Sequence, residues 1–185
     1  MLNPAEEIVN IWLQDHFKYF ITSNLVVPQK NRLNTKGGMI GGGRGKEIDF
    51  LATNGKGKYY WVEVSVSPNP RLPGGADKSR DLLVDTVIKK FAKEKEKWLQ
   101  GRFKIKKIEK WFVYSPKLFS FFRNGLAEER LYCNRLQKKN IKAISFAEVL
   151  KNVYSETTFF GYDSPRQYIF LLKKMGYKYE ELIKK

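Results

Sequence analysis

The chain has one cysteine, Cys133, and one histidine, His16, among its 185 residues. A lone cysteine excludes an intrachain disulfide, and with so few Cys and His ligands a zinc cluster is excluded too. One histidine also removes most histidine-based acid–base chemistry, and its place in the first expected helix suits a partly buried structural residue. No stretch approaches the roughly 18 uncharged apolar residues of a membrane span. The first ten residues, MLNPAEEIVN, lack the basic-then-apolar order of a signal peptide. These absences read as a cytoplasmic chain without a membrane partner. Acids are scarce as well, with 19 Asp+Glu against 35 Lys+Arg and a net charge of +16. Such a surplus implies a polyanionic partner, for which nucleic acid is the usual candidate.

Apolar residues make up 42% of the chain and aromatics 15%, enough to build a core. The length suits one domain with a small appendage. Residues 1–153 are expected to form an α/β core, and residues 154–185 a C-terminal helical extension packed on it.

Asn3 and Pro4 read as N-cap and first-turn proline of a helix reaching about Thr22, with Glu6 and Glu7 at the positive end of its dipole. Glu7 lies at the edge of the apolar stripe of that helix and could lean toward a sheet. Asn24–Gln29 reads as a short strand. From Lys30 to Gly45 the chain is basic and holds six glycines. It resembles no P-loop, because Glu47 follows Gly45–Lys46 where Ser or Thr is needed and a strand follows where a helix should. Its freedom suits close approach to phosphates, which makes Lys36, Arg44 and Lys46 candidate nucleic-acid contacts.

Beyond Pro68–Gly75 a long helix is expected from Asp77 or Ser79 to Gln100, ended by Gly101, with Lys89, Lys90, Lys93, Lys95 and Lys97 read largely as a solvated face. Then come a strand over Ile105–Tyr114, a helix over Lys117–Lys139 broken near Asn124–Gly125, a strand over Ile141–Ser145 and a helix over Phe146–Val153. Pro165–Met175 and Tyr179–Lys184 suggest two final helices. The alternation of strands and helices predicts a mixed sheet with helices on its faces.

The chemistry concentrates in Lys46–Ser67. Two strands, Lys46–Thr53 and Tyr59–Ser67, flank a turn with glycine on both sides of Lys56, a hairpin signal. Alternation puts Glu47 and Asp49 on one face of the first strand, and Ile48 and Phe50 on the other. On the second, Glu63 and Ser65 share a face opposite Val62, Val64 and Val66. Carboxylates avoid a half-buried sheet unless paired or bound to a cation. Acids converging from neighbouring strands therefore suggest an oxygen-ligated Mg²⁺ or Mn²⁺.

EIDFLA around Asp49 and WVEVS around Glu63 resemble the paired motif of the PD-(D/E)xK nuclease superfamily, which has the restriction-endonuclease-like fold and includes Holliday-junction-resolvase-like members. The resemblance rests on about 20 residues within an architecture spanning roughly 4–150. It implies an α/β fold with a mixed sheet flanked by helices, and a Mg²⁺- or Mn²⁺-dependent endonuclease acting on phosphodiesters, DNA above all. Asp49, Glu63 and the carbonyl of Val64 would hold the ion, and Glu7 would match the acid of the family's first helix. Glu47 or Glu7 could complete a second metal shell. Nucleases of this fold often work as homodimers, because cutting two strands takes two sites.

The chain departs from the motif at Ser65, where the family has the lysine that helps position or deprotonate the attacking water and offsets charge on phosphorus. A neutral hydroxyl cannot do this. Lys78 is the first substitute expected, ahead of Lys46 and Lys58. If no residue substitutes, the alternative is a catalytically inactive nuclease-fold protein that binds nucleic acid. A basic RNA- or ribosome-associated protein is a third reading.

Overall fold

The computed structural model describes residues 3–17, 20–28, 46–66, 76–158 and 164–182. The glycine-rich loop with Lys36 and Arg44, and the connection over 67–75, lie outside the described residues.

Helix α1 spans Pro4–Phe17. Its start is a capping box: the Glu6 amide donates to Asn3 Oδ1 and the Asn3 amide donates to the Glu6 carboxylate, each at 3.0 Å. The helix stops before the expected Thr22, because Phe20–Val27 form strand β1. Strands β2 (Lys46–Thr53) and β3 (Tyr59–Ser65) follow. Between them Gly55 and Gly57 take positive φ, which glycine adopts without steric cost.

The helix expected over 77–100 is two helices, α2 (Ala76–Lys90) and α3 (Lys93–Phe103). Gly101 lies inside α3, which ends instead at Lys104 in the left-handed conformation, its amide donating to the Gln100 carbonyl. Strand β4 (Ile108–Tyr114) leads through a 3-10 turn over Pro116–Phe121 to α4 (Gly125–Gln137). That junction is close: a Cβ at Gly125 would stand 2.6 Å from the Phe119 carbonyl oxygen. Strand β5 (Ile141–Ser145) runs directly into α5 (Phe146–Glu156), where the Ser145 hydroxyl accepts the Ala147 amide as an N-cap. The last elements are α6 (Ser164–Lys174) and α7 (Tyr179–Leu182).

The five strands form one mixed sheet in the order β1-β2-β3-β4-β5. The first three pair antiparallel, while β3–β4 and β4–β5 are parallel and joined by helical crossovers. The class is α/β, with helices over both faces. On one face Val9, Trp12 and Leu13 of α1, Val149 and Val153 of α5 and Ile169 of α6 pack on Phe50, Val62, Val64 and Val113. On the other, Val84, Val87 and Phe91 of α2 and its exit, Leu99 of α3 and Leu136 of α4 pack on Ile48, Leu51, Trp61 and Phe112. The C-terminal helices are tied down: Arg166 pairs with Asp15, and Lys173 donates to the carbonyls of Tyr154 (2.9 Å) and Thr157 (2.8 Å). No helix among the described residues is long and apolar enough to cross a membrane.

Candidate metal and phosphodiester site

The expected alternation along β2 fails at Asp49. Ile48 and Leu51 join the core under α2 and α3, whereas Phe50 and Ala52 join the core under α1. Ile48 and Phe50 therefore face opposite sides of the sheet, contrary to the pattern read from the sequence. The neighbouring strand is irregular at the facing position. Asn24 of β1 has φ 52°, and the β1–β2 pairing passes from Ser23↔Phe50 to Leu25↔Ile48, leaving Asn24 and Asp49 as the kink. The same slip appears in β1, whose Ile21 and Leu25 pack on opposite cores. On the other side, regular β2–β3 pairing begins at Phe50↔Val62. Just before it, the Val64 amide donates to Asp49 Oδ2 at 2.7 Å. A side chain thus does the work of a backbone carbonyl and fixes the carboxylate beside β3.

Glu63 lies in the middle of the sheet on the α2–α3 side, only 2% exposed. Its Oε1 accepts from Trp61 Nε1 at 2.8 Å and from Lys95 Nζ at 3.2 Å. Lys95, itself 6% exposed, also donates to the Glu47 carbonyl at 2.6 Å, tying α3 to the start of β2. Lys90, the last residue of α2, brings its Nζ to 3.7 Å from Glu63 Oε2 and to 3.4 Å from the Val64 carbonyl. Burial pushes the Glu63 carboxyl above its ordinary range, and the charge of nearby Asp49 pushes the same way. Lys95, Lys90 and the Trp61 N–H pull it back without cancelling those effects.

The structure places Asp49 beside the backbone of Val64 and near enough to Glu63 for its charge to act there. The other expected site residues fare differently. Ser65 ends β3, exposed, two residues on from Glu63 on the same face. Glu7 sits on α1, whose apolar side covers the opposite face of the sheet, and it is not among the groups acting on Glu63. Lys78 lies in the first turn of α2, twelve residues before Lys90. At 1.5 Å rise per residue the two stand about 18 Å apart along the helix axis. Lys46 begins β2 and Lys58 is exposed at the turn. Glu47 is exposed and contributes its carbonyl, taken by Lys95.

Lys90, Lys95 and Trp61 are the site residues that sequence reading passed over. One signal was there for Lys95: the buried stripe Val84, Val87, Phe91, Leu99 is due an apolar residue at position 95, and a lysine fills it. A buried lysine needs an anionic partner.

Can these residues take a divalent ion? Asp49 and Glu63 are the two acids, and no group of three or more His, Cys, Asp or Glu side chains suited to a metal occurs among the described residues. Yet the donor set is not only side chains. Glu63 Oε2 and the Val64 carbonyl face one cation already, that of Lys90, and Asp49 is anchored through Oδ2, leaving its other oxygen for coordination. Two carboxylates and a carbonyl are hard oxygen donors of the kind Mg²⁺ and Mn²⁺ take, with water completing the shell. The residues fit the ion. Comparison with family models, with curated proteins and with solved structures finds no match to the chain.

Proposed function

We propose that the protein is a divalent-metal-dependent nuclease of the PD-(D/E)xK type, with the restriction-endonuclease-like fold, hydrolysing phosphodiester bonds in DNA. The observation that carries this reading is the convergence of Asp49, Glu63 and the Val64 carbonyl with a lysine ammonium at the end of β3. The sheet order and the position of the acids near the carboxyl ends of parallel strands support it, since α/β sheets place their ligand sites there.

Asp49, Glu63 Oε2 and the Val64 carbonyl would hold Mg²⁺ or Mn²⁺. When bound, the ion supplies Lewis-acid polarisation and offsets the negative charge that develops on phosphorus and the leaving oxygen. The protein's own residues do the rest. Trp61 and Lys95 occupy Glu63 Oε1, so the carboxylate cannot rotate and its second oxygen keeps one direction. Lys90, moved off Glu63 Oε2 and the Val64 carbonyl by the ion, would still bring to the rim of the site the positive charge that Ser65 cannot, from a helix instead of the strand. Basic residues, with Lys36, Arg44 and Lys46 as the candidates nearest in sequence, hold the DNA backbone by charge-assisted contacts.

The test is cleavage of plasmid and branched DNA in Mg²⁺ or Mn²⁺. Asp49→Asn and Glu63→Gln, which keep side-chain volume, should each lower the rate by at least about a hundredfold, given the several kcal/mol that metal ions contribute to such barriers. Full activity in both folded variants would refute the site. A second reading, a nucleic-acid binder without catalysis, is favoured by the near-complete burial of Glu63 and its two ammonium partners. Tight, salt-sensitive DNA binding with no cleavage in any divalent ion would establish it.

A further inference from the structure

We propose that Lys90 is an internal stand-in for the divalent ion: its ammonium occupies the cation position between Glu63 Oε2 and the Val64 carbonyl, and the ion must displace it to bind. This rests on the metal-ion reading of the site.

Two lysines neutralise the site, and they are held in different ways. Lys95 is buried and closely bonded, 2.6 Å from the Glu47 carbonyl and 3.2 Å from Glu63 Oε1. It uses oxygens that the ion does not need. Lys90 is 32% exposed and held loosely, at 3.4 Å from the Val64 carbonyl and 3.7 Å from Glu63 Oε2. Those distances lie beyond good N–H···O bonds, so the attraction is mainly charge on charge. The two oxygens it touches are two of the three assigned to the ion. An ammonium and a divalent cation cannot both sit against them.

The charge balance points the same way. Asp49 and Glu63 bring two carboxyl groups and Lys90 and Lys95 two amino groups, so with all four ionised their charges cancel before any ion is added. A divalent ion added to that set would leave a +2 excess. With Lys90 swung out to solvent the excess falls to +1. The buried lysine has nowhere to go, whereas the half-exposed one ends its helix and has solvent on one side. The exchange keeps Glu63 Oε2 facing a cation in the ion-free protein, beside the Lys95 and Trp61 contacts on Oε1. It also weakens ion binding by whatever Lys90 gains from its two oxygens. Competition of this kind is reciprocal: the ion must expel Lys90 as strongly as Lys90 opposes the ion.

The experiment uses the full chain without DNA. Mn²⁺ binding is followed by electron paramagnetic resonance of the free ion, for the wild type, Lys90→Gln, and each combined with Asp49→Asn. Lys90→Gln should bind Mn²⁺ about fivefold more tightly or better, with Asp49→Asn abolishing binding in both backgrounds. Binding to Lys90→Gln alone, with none to the wild type, would support the proposal equally. In parallel, acetylation of Lys90 by an activated ester, read by peptide mass spectrometry, should speed up on adding Mn²⁺ to the wild type and stay unchanged in Asp49→Asn. If Lys90→Gln binds Mn²⁺ no more tightly than the wild type while Asp49→Asn still abolishes binding, the stand-in role is wrong and the metal site stands. If neither protein binds Mn²⁺, the metal site fails and this inference fails with it.

Discussion

Asn24 shows how much one backbone angle can decide. Its φ of 52° lies in the left-handed region, which Asn tolerates better than other non-glycine residues. The kink reverses the side-chain phase of β1 and β2, and Asp49 sits opposite it. Asp49 is thereby placed where its Oδ2 meets the Val64 amide. A β-branched residue at position 24 resists that angle. Asn24→Val should therefore cost about 1–2 kcal/mol, read as a lower urea midpoint, while Asn24→Gly should lose little. If the kink positions Asp49, Asn24→Val should also weaken Mn²⁺ binding in protein that is still folded. Trp61 has a comparable role for Glu63. It is fully buried, packs against Phe91 with ring centroids 4.9 Å apart, and aims its one N–H at the carboxylate.

At the scale of elements, the break between α2 and α3 matters most. Lys90 and Lys95 are five residues apart, which on one continuous helix would set them about 140° apart around the axis. They could not both reach one carboxylate. Ala92 is extended (φ −59°, ψ 141°), and the Phe91 amide tightens onto the Ile88 carbonyl at 3.1 Å. Phe91 buries against Trp61 at the corner, and the chain restarts as α3 in a new direction. Two lysines from two helices then converge on Glu63. The far end of α3 offers a separate test. Lys104 caps it in the left-handed region at φ 54°, where a Cβ is unfavourable and glycine is the usual residue. Lys104→Gly should stabilise the protein by about 1 kcal/mol, or roughly 2–4 °C in Tm for a chain of this size. Thermal unfolding followed by circular dichroism checks it, and a lower Tm would mean that the lysine makes a compensating contact.

For the whole molecule, the governing quantity is the net charge of +16. That figure is what remains after every acid is counted, including those in internal pairs: Glu63 with Lys90 and Lys95, Glu96 with Lys110 at 2.7 Å, Asp81 with Arg135 at 2.5 Å. The surplus is thus available to a polyanion. DNA binding measured by fluorescence anisotropy should weaken on the order of a hundredfold or more between about 50 and 200 mM salt, as counterion release by several phosphate contacts requires. It should do so equally in Asp49→Asn, which leaves the basic surface intact. A salt-independent affinity would argue against a phosphate-dominated interface.

The amino-acid order by itself determined the local pieces. β2 and β5 begin and end where alternation and turn residues place them, and the α1 cap follows from Asn3, Pro4 and Glu6. The acid pair Asp49 and Glu63 was also legible, because charge inside apolar strands stands out against the pattern. Tertiary structure decided what depends on contacts between distant segments. The change of phase in β2 at Asp49 lies opposite Asn24, twenty-five residues earlier in the chain. The break at Ala92 comes where Phe91 packs on Trp61, thirty residues away in the chain. Lysines spaced like any solvated face become site residues because Glu63 is buried there and must be neutralised. Local propensity extends over a turn or two of chain, whereas compensation of a buried charge is settled by whichever group the fold brings within reach.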